Sequence, residues 1–588
     1  MKRIFMVLVW AGLSLAACQN RKDVRCEQDS NCDLFTGGVC AAASTGARWC
    51  AYPAPDCPSG FRFSDDDVGD SVGGTCLARA LHMLTVSLGG NGAGQVISSP
   101  AGIDCPGTCS AAFDEGQEVS LSQETSTSIF LGWNEVCNDG TTCSITLNND
   151  QTVNARFGIP GSSRWLSQLR ATEKAWIFSA AALSNHDIVV VGDFTGTIAT
   201  GDNTNAVASG FVARLRADDG SIVWLKTINA TVASGVRFVG IDASDDIFLG
   251  GSFSGTITLG DTNVQSAGGS DVYVMKVSGK DGTTIWHRAF GSADEDYISG
   301  LGVSPAGDVT ITGYFNGTIS PGGPPLQGGW ATYLIRYTND AGLVAWSKAI
   351  TGTNTTLGEY PAGLAIDGAG NAIIIGSFSG TVDFGGGPRT APNGESFLAK
   401  YAGENGAYIV DKILGAAYAK NITADAAGSM YLNGTFSGST SIDGRPLTSA
   451  GGEDIFALKY SPAGQLQWVQ SFGNTLNDST NALAIDAEGQ LVFTTLFDGT
   501  VTYGGENLAS AGSSDIAVVR IRASNGTYLS SLRIGGPGSE EATAITSSSA
   551  GIFIGGLFSN TTDFAGQSLS ASGTSDAFAL QLLPYLDH

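Results

Sequence analysis

Short apolar runs separated by glycine-containing turns repeat through the last three quarters of the chain. One segment, typified by Gly-Ser-Phe-Ser-Gly-Thr-Val at 376–382, recurs seven times, and its phenylalanines are 58 to 63 residues apart: Phe194, Phe253, Phe315, Phe378, Phe436, Phe497 and Phe558. About sixty residues accommodate four strands of five to six residues with their turns. The pattern therefore predicts a four-stranded unit repeated seven times.

Each copy has further elements in a constant order. A turn such as Asp-Gly-Ala-Gly-Asn at 367–371 precedes the Gly-x-Phe strand and is typical of a hairpin. A third strand begins at an acidic residue in five copies: Asp271, Glu395, Asp454, Asp515 and Asp576. A fourth strand carries a tryptophan four residues after a glycine, at Trp224, Trp286, Trp346 and Trp468, and two copies have Val410 or Ser530 instead.

One strand of the repeat stands at the beginning of the array instead of at its end. The last copy lacks a tryptophan strand, whereas an extra one at Trp165 precedes the first Phe194 by the usual 29 residues. If the Trp165 strand pairs with the Asp576 strand, the array closes into a ring without exposed edges. We therefore predict an all-β protein with a seven-bladed β-propeller over 158–588, closed by the Trp165 strand. A linear β-solenoid is the disfavoured alternative, because its repeats are usually shorter and would not need this displacement.

Two smaller segments precede the repeats. Residues 82–157 contain runs of two-residue alternation, at 85–88, 118–121 and 152–157, and this period predicts a small all-β domain. Residues 18–81 have few aliphatic side chains and six cysteines besides Cys18, so disulfides are expected to replace a core. These six are Cys26, Cys32, Cys40, Cys50, Cys57 and Cys76, for which fifteen pairings are possible.

The cysteines indicate an oxidising compartment. Apart from Cys18, all ten lie between Cys26 and Cys143, and an even number predicts five disulfides. Zinc is the competing interpretation. It is disfavoured because the nearest histidine is His82 and no Cys-x-x-Cys pair is present.

The first 17 residues have the layout of a secretory signal peptide. Two basic residues precede an apolar run at 4–15, which is too short to span a bilayer. The following Leu15-Ala16-Ala17-Cys18 resembles the bacterial lipobox, and this resemblance implies that Cys18 is lipidated and anchors the protein. Gln19 follows the anchor in place of the aspartate that resembles an inner-membrane retention signal, so the resemblance implies transfer to the outer membrane. An ordinary signal peptide with an unrelated cysteine is the alternative.

Two further resemblances cover most of the remaining chain. The sequences at 89–109, 113–119, 130–133 and 153–157 resemble a bacterial extracellular repeat domain related to internalin-type B-repeats, which implies a stalk with local bridges Cys105–Cys109 and Cys137–Cys143. The sequences at 376–385 and 449–459 resemble the β-propeller repeat of secreted bacterial surface proteins. Together with the lipobox, they are similar to outer-membrane lipoproteins of predatory or gliding soil bacteria, a resemblance that carries over no catalytic residue.

Charge and composition exclude some functions. The net charge of −25 would repel phosphate backbones, so no nucleic-acid partner is expected. The four histidines are scattered, at His82, His186, His287 and His588, and neither His-Glu-x-x-His nor Gly-x-Ser-x-Gly occurs. We expect no catalytic residue, no metal site and no cofactor. Propellers that hold a quinone resemble one another in having eight blades and a vicinal disulfide, and this repeat array contains no cysteine.

The repeated residues are expected to be structural. The recurring aspartates are interpreted as turn caps, and the recurring phenylalanines and tryptophans as core between blades. The acidic run at 65–70 could hold Ca²⁺ but is better explained as a solvated loop. The residues that bind a ligand are expected in loops that differ between blades, and the candidate loops are 292–297, 321–325 and 351–360.

The sequence therefore favours a non-enzymatic lipoprotein of the outer membrane, anchored at Cys18 and presenting a propeller to an extracellular glycan or protein. A polysaccharide-acting hydrolase or lyase and a structural matrix protein are the two alternatives.

Overall fold

The computed structural model describes residues 25–43, 45–57, 59–65, 69–78, 80–133, 137, 142–198, 206–353 and 360–585. The predicted signal peptide at 1–17 and Cys18 lie outside these residues. The chain divides into two compact units, Met1–Phe157 and Gly158–His588. Within the described ranges, no helix has the length and apolar character needed to cross a bilayer.

The cysteine-rich segment forms one small antiparallel sheet from Val39–Ala42, Arg48–Pro53 and Phe61–Phe63, with 3-10 turns at Asp29–Asn31 and Gly69–Ser71. Its buried side chains include Trp49 and Phe63, a core too small to stabilise a fold by itself. Three disulfides connect the segment: Cys26–Cys40, Cys32–Cys50 and Cys57–Cys76.

The rest of the first unit has two four-stranded sheets. One has the strand order Thr142–Leu147, Gln117–Glu124, Gln95–Ser99, Asp104–Cys105, and the other has the order Ser110–Asp114, Leu81–Gly90, Gln151–Gly158, Ile129–Trp133. The apolar residues of the alternating runs that predicted strands point inward, since Val86, Leu121 and Val153 are buried. Disulfides join Cys105 to Cys109 and Cys137 to Cys143.

The second unit consists of seven four-stranded antiparallel sheets, which we number as blades in chain order. Blade 1 comprises Lys174–Ala182, Ile188–Gly196, Ala206–Leu215 and Ile222–Ile228; blade 2 comprises Ala233–Ile241, Ile247–Ser254, Asp271–Val277 and Thr284–Phe290. Blade 3 comprises Tyr297–Val303, Val309–Ile319, Leu326–Tyr337 and Val344–Ile350; blade 4 comprises Tyr360–Ile366, Ala372–Asp383, Pro388–Tyr401 and Tyr408–Ile413. Blade 5 comprises Tyr418–Ala424, Met430–Ile442, Arg445–Tyr460 and Leu466–Phe472; blade 6 comprises Ser479–Ile485, Leu491–Phe497, Asp515–Ile521 and Tyr528–Ile534.

Blade 7 contains both ends of the unit. Its strands are Glu540–Ser548, Gly551–Phe558, Asp576–Leu582 and, from the start of the unit, Ser163–Leu169. The last two pair antiparallel, with Leu166 opposite Leu580. The outer hairpins Thr256–Leu259/Thr262–Gln265, Thr500–Val501/Leu508–Ala509 and Thr561–Phe564/Gln567–Ser570 extend three blades.

The first strand of each blade contacts the first strands of both neighbours, so seven inner strands surround a central channel of about 220 Å³. Second strands such as Ala372–Asp383 are covered on both faces by adjacent blades and therefore have continuous apolar runs. The prediction of an all-β chain with a seven-bladed propeller is confirmed.

The repeated aromatic residues are core, as predicted. All seven phenylalanines of the Gly-x-Phe series are buried. The fourth-strand tryptophans donate an indole hydrogen bond to a carbonyl in the following blade: Trp165 to Ala217 (2.8 Å), Trp224 to Gly279 (3.2 Å), Trp286 to Asn339 (2.9 Å), Trp346 to Gly403 (2.8 Å) and Trp468 to Ala523 (3.1 Å). The glycine ahead of each fourth strand gives the ring space, since a Cβ on Gly220 would lie 2.4 Å from Cε3 of Trp165.

An ion pair that was not predicted from the sequence connects the first hairpin turn to the third strand in five blades. An aspartate of the first hairpin turn accepts from a lysine or arginine of the third strand: Asp187–Arg214, Asp242–Lys276, Asp308–Arg336, Asp367–Lys400 and Asp486–Arg520. Arg214 and Arg336 also donate to the carbonyls of Gly279 and Gly370 in the next blade.

Candidate functional site

Blade 1 departs from the repeat at positions that face one cleft. The residue before the repeated phenylalanine is Asp193, where the other blades have Ser252, Tyr314, Ser377, Thr435, Leu496 and Leu557. The first strand of blade 1 also carries Trp176 opposite Asp193, with Phe178 two residues later. Asp193 is the one acidic residue among the seven that precede a repeated phenylalanine, so the group around it is the first candidate for a specific function.

We call the space between these residues of blade 1 and the neighbouring blade 2 the blade 1–2 cleft. Its main cavity has a volume of about 660 Å³ and continues into a second cavity of about 270 Å³. Phe178, Asp193 and Arg237 line both cavities, and Trp176 lines the smaller one. Glu295 and Tyr297 of blade 3 line the larger cavity.

Aromatic rings and cations form one wall of the blade 1–2 cleft. The rings of Trp176 and Phe178 lie 4.6 Å apart, and both are half-buried. The Arg237 guanidinium lies 3.8 Å from the centre of the Phe178 ring, and the Lys174 ammonium lies 4.8 Å from that of Trp176. The Trp176 indole donates to the Thr543 hydroxyl at 3.0 Å, which fixes the orientation of the ring.

Asp193 is the carboxylate of this wall. It pairs with Arg237 at 2.9 Å and accepts the Val236 N–H at 3.2 Å. Burial raises the pKa of Asp193 to about 6, and the charge of Arg237 offsets only part of this shift. The group is therefore ionised above that pH and titrates in a mildly acidic medium.

The opposite wall comes from the predicted loop 292–297. The Tyr297 hydroxyl donates to Glu295, and its ring lies 5.2 Å from that of Tyr314, which in turn lies 6.2 Å from Trp330. Trp330 has φ of +49°, a left-handed conformation that is rare for an aromatic residue and costs about 1–3 kcal/mol. Of these three rings, that of Tyr297 lines the larger cavity of the cleft.

The other two candidate loops contribute no described residue to the lining of the blade 1–2 cleft. In loop 321–325, the Pro321 carbonyl accepts from the buried Tyr337 hydroxyl at 3.0 Å, which ties that loop to its own blade. Residues 354–359 of loop 351–360 lie outside the described residues.

Neither His186 nor His287 lines the blade 1–2 cleft. His186 contacts Ser549 at 3.2 Å, His287 lies on the outer strand of blade 2, and His588 is outside the described residues. Burial lowers the pKa of His287, with a smaller effect from Arg288. In the acidic run, Asp70 accepts from Thr45 and Trp49, whereas positions 66 and 67 are not described.

The recurring third-strand aspartates cap turns, as predicted. Each accepts the backbone N–H four residues earlier: Asp271 from Ala267 (2.8 Å), Asp454 from Ala450 (2.7 Å), Asp515 from Ala511 (3.0 Å) and Asp576 from Ser572 (2.8 Å). The sequence analysis missed Trp176, Phe178, Asp193 and Arg237. The departure of blade 1 from the Gly-Ser-Phe pattern was the signal that could have found them.

No protein-family model and no curated protein matches the chain. Among solved structures, it is similar to quinohemoprotein alcohol dehydrogenase from Comamonas testosteroni, at 11% identity and a TM-score of 0.33 over 72% of this chain and 77% of that one. BamB from Moraxella catarrhalis matches at 12% identity and 0.30 over 72% and 99%. The Neurospora crassa Pan2 WD40 domain matches at 7% identity and 0.36 over 73% and 96%. With TM-scores below 0.5, these likenesses say nothing about the activity of this chain.

Proposed function

We propose that this chain is a lipid-anchored surface protein of the outer membrane. Its propeller binds a carbohydrate through the blade 1–2 cleft and does not catalyse a reaction of that carbohydrate. The observation that supports it is the combination of Trp176, Phe178, Asp193 and Arg237 in one cleft, where Asp193 is the one acidic residue among the seven that precede a repeated phenylalanine. Flat rings such as Trp176 and Tyr297 pack against the apolar faces of sugars. The Asp193–Arg237 pair offers a charged acceptor and donor for hydroxyl groups.

We expect Trp176→Ala or Arg237→Ala to weaken glycan binding at least tenfold, a loss of about 1.4 kcal/mol. The measurement is binding of the full chain to an array of bacterial polysaccharides, followed by titration of each hit. Tyr418→Ala is the matched control, because Tyr418 occupies in blade 5 the position of Trp176 and is half-exposed. An equal loss in the Tyr418 variant, or no saturable binding by the folded protein, would contradict the proposal.

The anchor makes a separate prediction. Loss of the acyl chains in Cys18→Ala removes about 0.8 kcal/mol of membrane affinity for each buried methylene, so we expect this variant in the soluble fraction. The check is fractionation of cells that express either form, with blotting of membrane and soluble material. Retention of the variant in the membrane fraction would exclude Cys18 as the sole anchor.

A hydrolase or lyase acting on polysaccharide is the second candidate. One observation favours it: Asp193 and Glu295 are two carboxylates that line the same cleft, and the pKa of Asp193 lies near 6. Under this hypothesis, the full chain releases new chain ends from a bound glycan, and Asp193→Asn stops the release while binding persists. Binding without any release favours the first proposal.

A further inference from the structure

The first strand of every blade has an irregularity at the same position. The pairing with the second strand skips one residue there, which is the pattern of a β-bulge. The skipped residues, from blade 1 to blade 7, are Phe178, Arg237, Ser299, Ala362, Lys420, Asn481 and Thr543. Bulges redirect a side chain and are frequent beside active sites. Six of these residues line the central channel, and Arg237 lines the blade 1–2 cleft.

An aliphatic layer lies beyond the bulges along the channel. Two positions further along the strands, the residues that line the channel are Ala180, Leu301, Leu364, Ile422, Leu483 and Ile545. The blade 1–2 cleft lies toward the opposite end of the strands, since Trp176 of the cleft precedes Phe178 by two residues. Phe178 lines both the channel and the cleft, so the two spaces adjoin. A ligand that enters from the cleft therefore meets the bulge residues first and an apolar layer behind them.

The polar residues of the channel are concentrated on one side of it. Blades 5 to 7 contribute Lys420, Asn421, Asn481 and Thr543, whereas the described residues of blade 4 contribute no polar side chain to the lining. The Asn481 amide donates to Glu541 at 3.3 Å. The Asn421 amide donates to Asn433 at 2.9 Å. These bonds orient the two amide groups and leave their oxygens as acceptors for a ligand.

Lys420 is the one charged side chain among the described residues that line the channel. It is half-buried, and its ammonium donates to the Ser479 hydroxyl at 3.2 Å. In five blades the cation of the third strand pairs with an aspartate, whereas no carboxylate of the described residues forms an ion pair with Lys420. Glu541, the partner of Asn481, is outside the lining of the channel. An ammonium has three N–H donors, so two of those of Lys420 remain for a ligand.

Size and charge together limit what the channel holds. Its volume of about 220 Å³ is below the range of about 300–1,000 Å³ for pockets that bury drug-sized ligands, so it suits a single sugar residue. A half-buried cation without an anionic partner is costly, because it has lost part of its hydration. A carboxylate on the ligand would offset this cost through a charge-assisted hydrogen bond to Lys420.

We propose that the central channel binds one acidic sugar residue, the end of a glycan, whose carboxylate pairs with Lys420. The inference rests on the proposed binding of a carbohydrate in the blade 1–2 cleft, and it adds the class of sugar and the place of the chain end. The aliphatic layer stops the chain and packs against the apolar face of the sugar ring. The amide oxygens of Asn421 and Asn481 accept hydrogen bonds from its hydroxyl groups. A neutral sugar lacks the charge-assisted bond and binds more weakly.

The test compares two pairs of monosaccharides in which only one member carries a carboxylate: D-glucuronate with D-glucose, and D-galacturonate with D-galactose. The full chain is titrated with each at neutral pH and followed by tryptophan fluorescence and saturation-transfer NMR. We expect at least one acid to bind at least about tenfold more tightly than its neutral partner, because hydrogen bonds to charged groups are strong. Lys420→Met should reduce this preference to less than about twofold. Lys459→Met is the matched control and should retain it, since Lys459 is a half-buried lysine of the same blade that does not line the channel.

A second variant tests the site without changing its charge. Ala362 lines the channel in blade 4, so the ring of Ala362→Phe would occupy the space of the sugar, and we expect this variant to unfold cooperatively but to bind no uronate. The inference is overturned if the folded wild type prefers neither acid over its neutral partner, or if both channel variants bind as the wild type does.

Failure of the channel site is distinguishable from failure of the glycan-binding proposal. Polysaccharide binding that is lost in Trp176→Ala, without any preference for uronates, contradicts the channel site alone. A preference for uronates that depends on Lys420, without binding of any polysaccharide, contradicts the blade 1–2 cleft alone and supports the channel site.

Discussion

Replacing Asp367 with alanine lowers the free energy of unfolding by about 3–5 kcal/mol, because the change leaves a buried ammonium without its partner. Lys400 Nζ lies 2.9 Å from Asp367 Oδ2, and the two side chains are 3% and 2% exposed. The same carboxylate accepts N–H groups from Ala369 at 3.0 Å and Asn371 at 2.9 Å. The variant therefore breaks the hairpin turn as well as the ion pair. Urea unfolding followed by tryptophan fluorescence measures the loss.

The control for this variant is an exposed pair of the same chemistry. Asp218 lies 3.1 Å from Arg164 and its side chain is 87% exposed, so Asp218→Ala should cost less than about 1 kcal/mol. Adding Lys400→Met to Asp367→Ala should recover part of the lost stability, since it removes the buried ammonium charge that no longer has an anionic partner. Equal effects of Asp367→Ala and Asp218→Ala would show that burial does not govern these pairs.

The pH dependence of this pair has a definite sign. Burial alone raises the pKa of Asp367, but the hydrogen bonds from Lys400 and Asn371 outweigh it and hold the pKa below its usual value. A lowered pKa contributes stability above pH 4 that is lost as the pH falls through the folded-state value. The Asp367 contribution is thus lost in acid.

The second large effect concerns the closing strand. We expect Trp165→Ala to cost about 3–5 kcal/mol, the range for truncating a large buried aromatic. Trp165 is 5% exposed, its ring lies 6.1 Å from Phe553, and its indole joins blade 7 to blade 1. Trp176→Ala, which truncates a half-buried tryptophan, serves as the control and should cost markedly less.

Deletion of residues 158–169 extends this prediction. Without Ser163–Leu169, the strand Asp576–Leu582 becomes an open edge, and we expect aggregation in place of a cooperative transition. Size-exclusion chromatography of the two forms measures the outcome. A monomeric deletion variant with a wild-type midpoint would show that closure of the ring is not needed for stability.

The sequence determined the architecture because strands and turns leave local signals. The spacing of about sixty residues between phenylalanines such as Phe253 and Phe315 is the length of one blade. The Trp165 strand stands at the start of the array because it pairs with the last strand and closes the ring. The recurring aspartates were predictable as caps for the same reason, since Asp271 bonds a backbone group only four residues away.

Only the tertiary structure decided contacts between separate loops and blades. The pairing of Cys26 with Cys40 was one of fifteen possibilities in its segment, and the Lys400–Asp367 pair joins the third strand of blade 4 to its first hairpin turn. Asp193 meets Arg237 because adjacent blades place their strands side by side. Contacts of this kind join residues of different repeats, so a single repeat considered alone does not contain both partners.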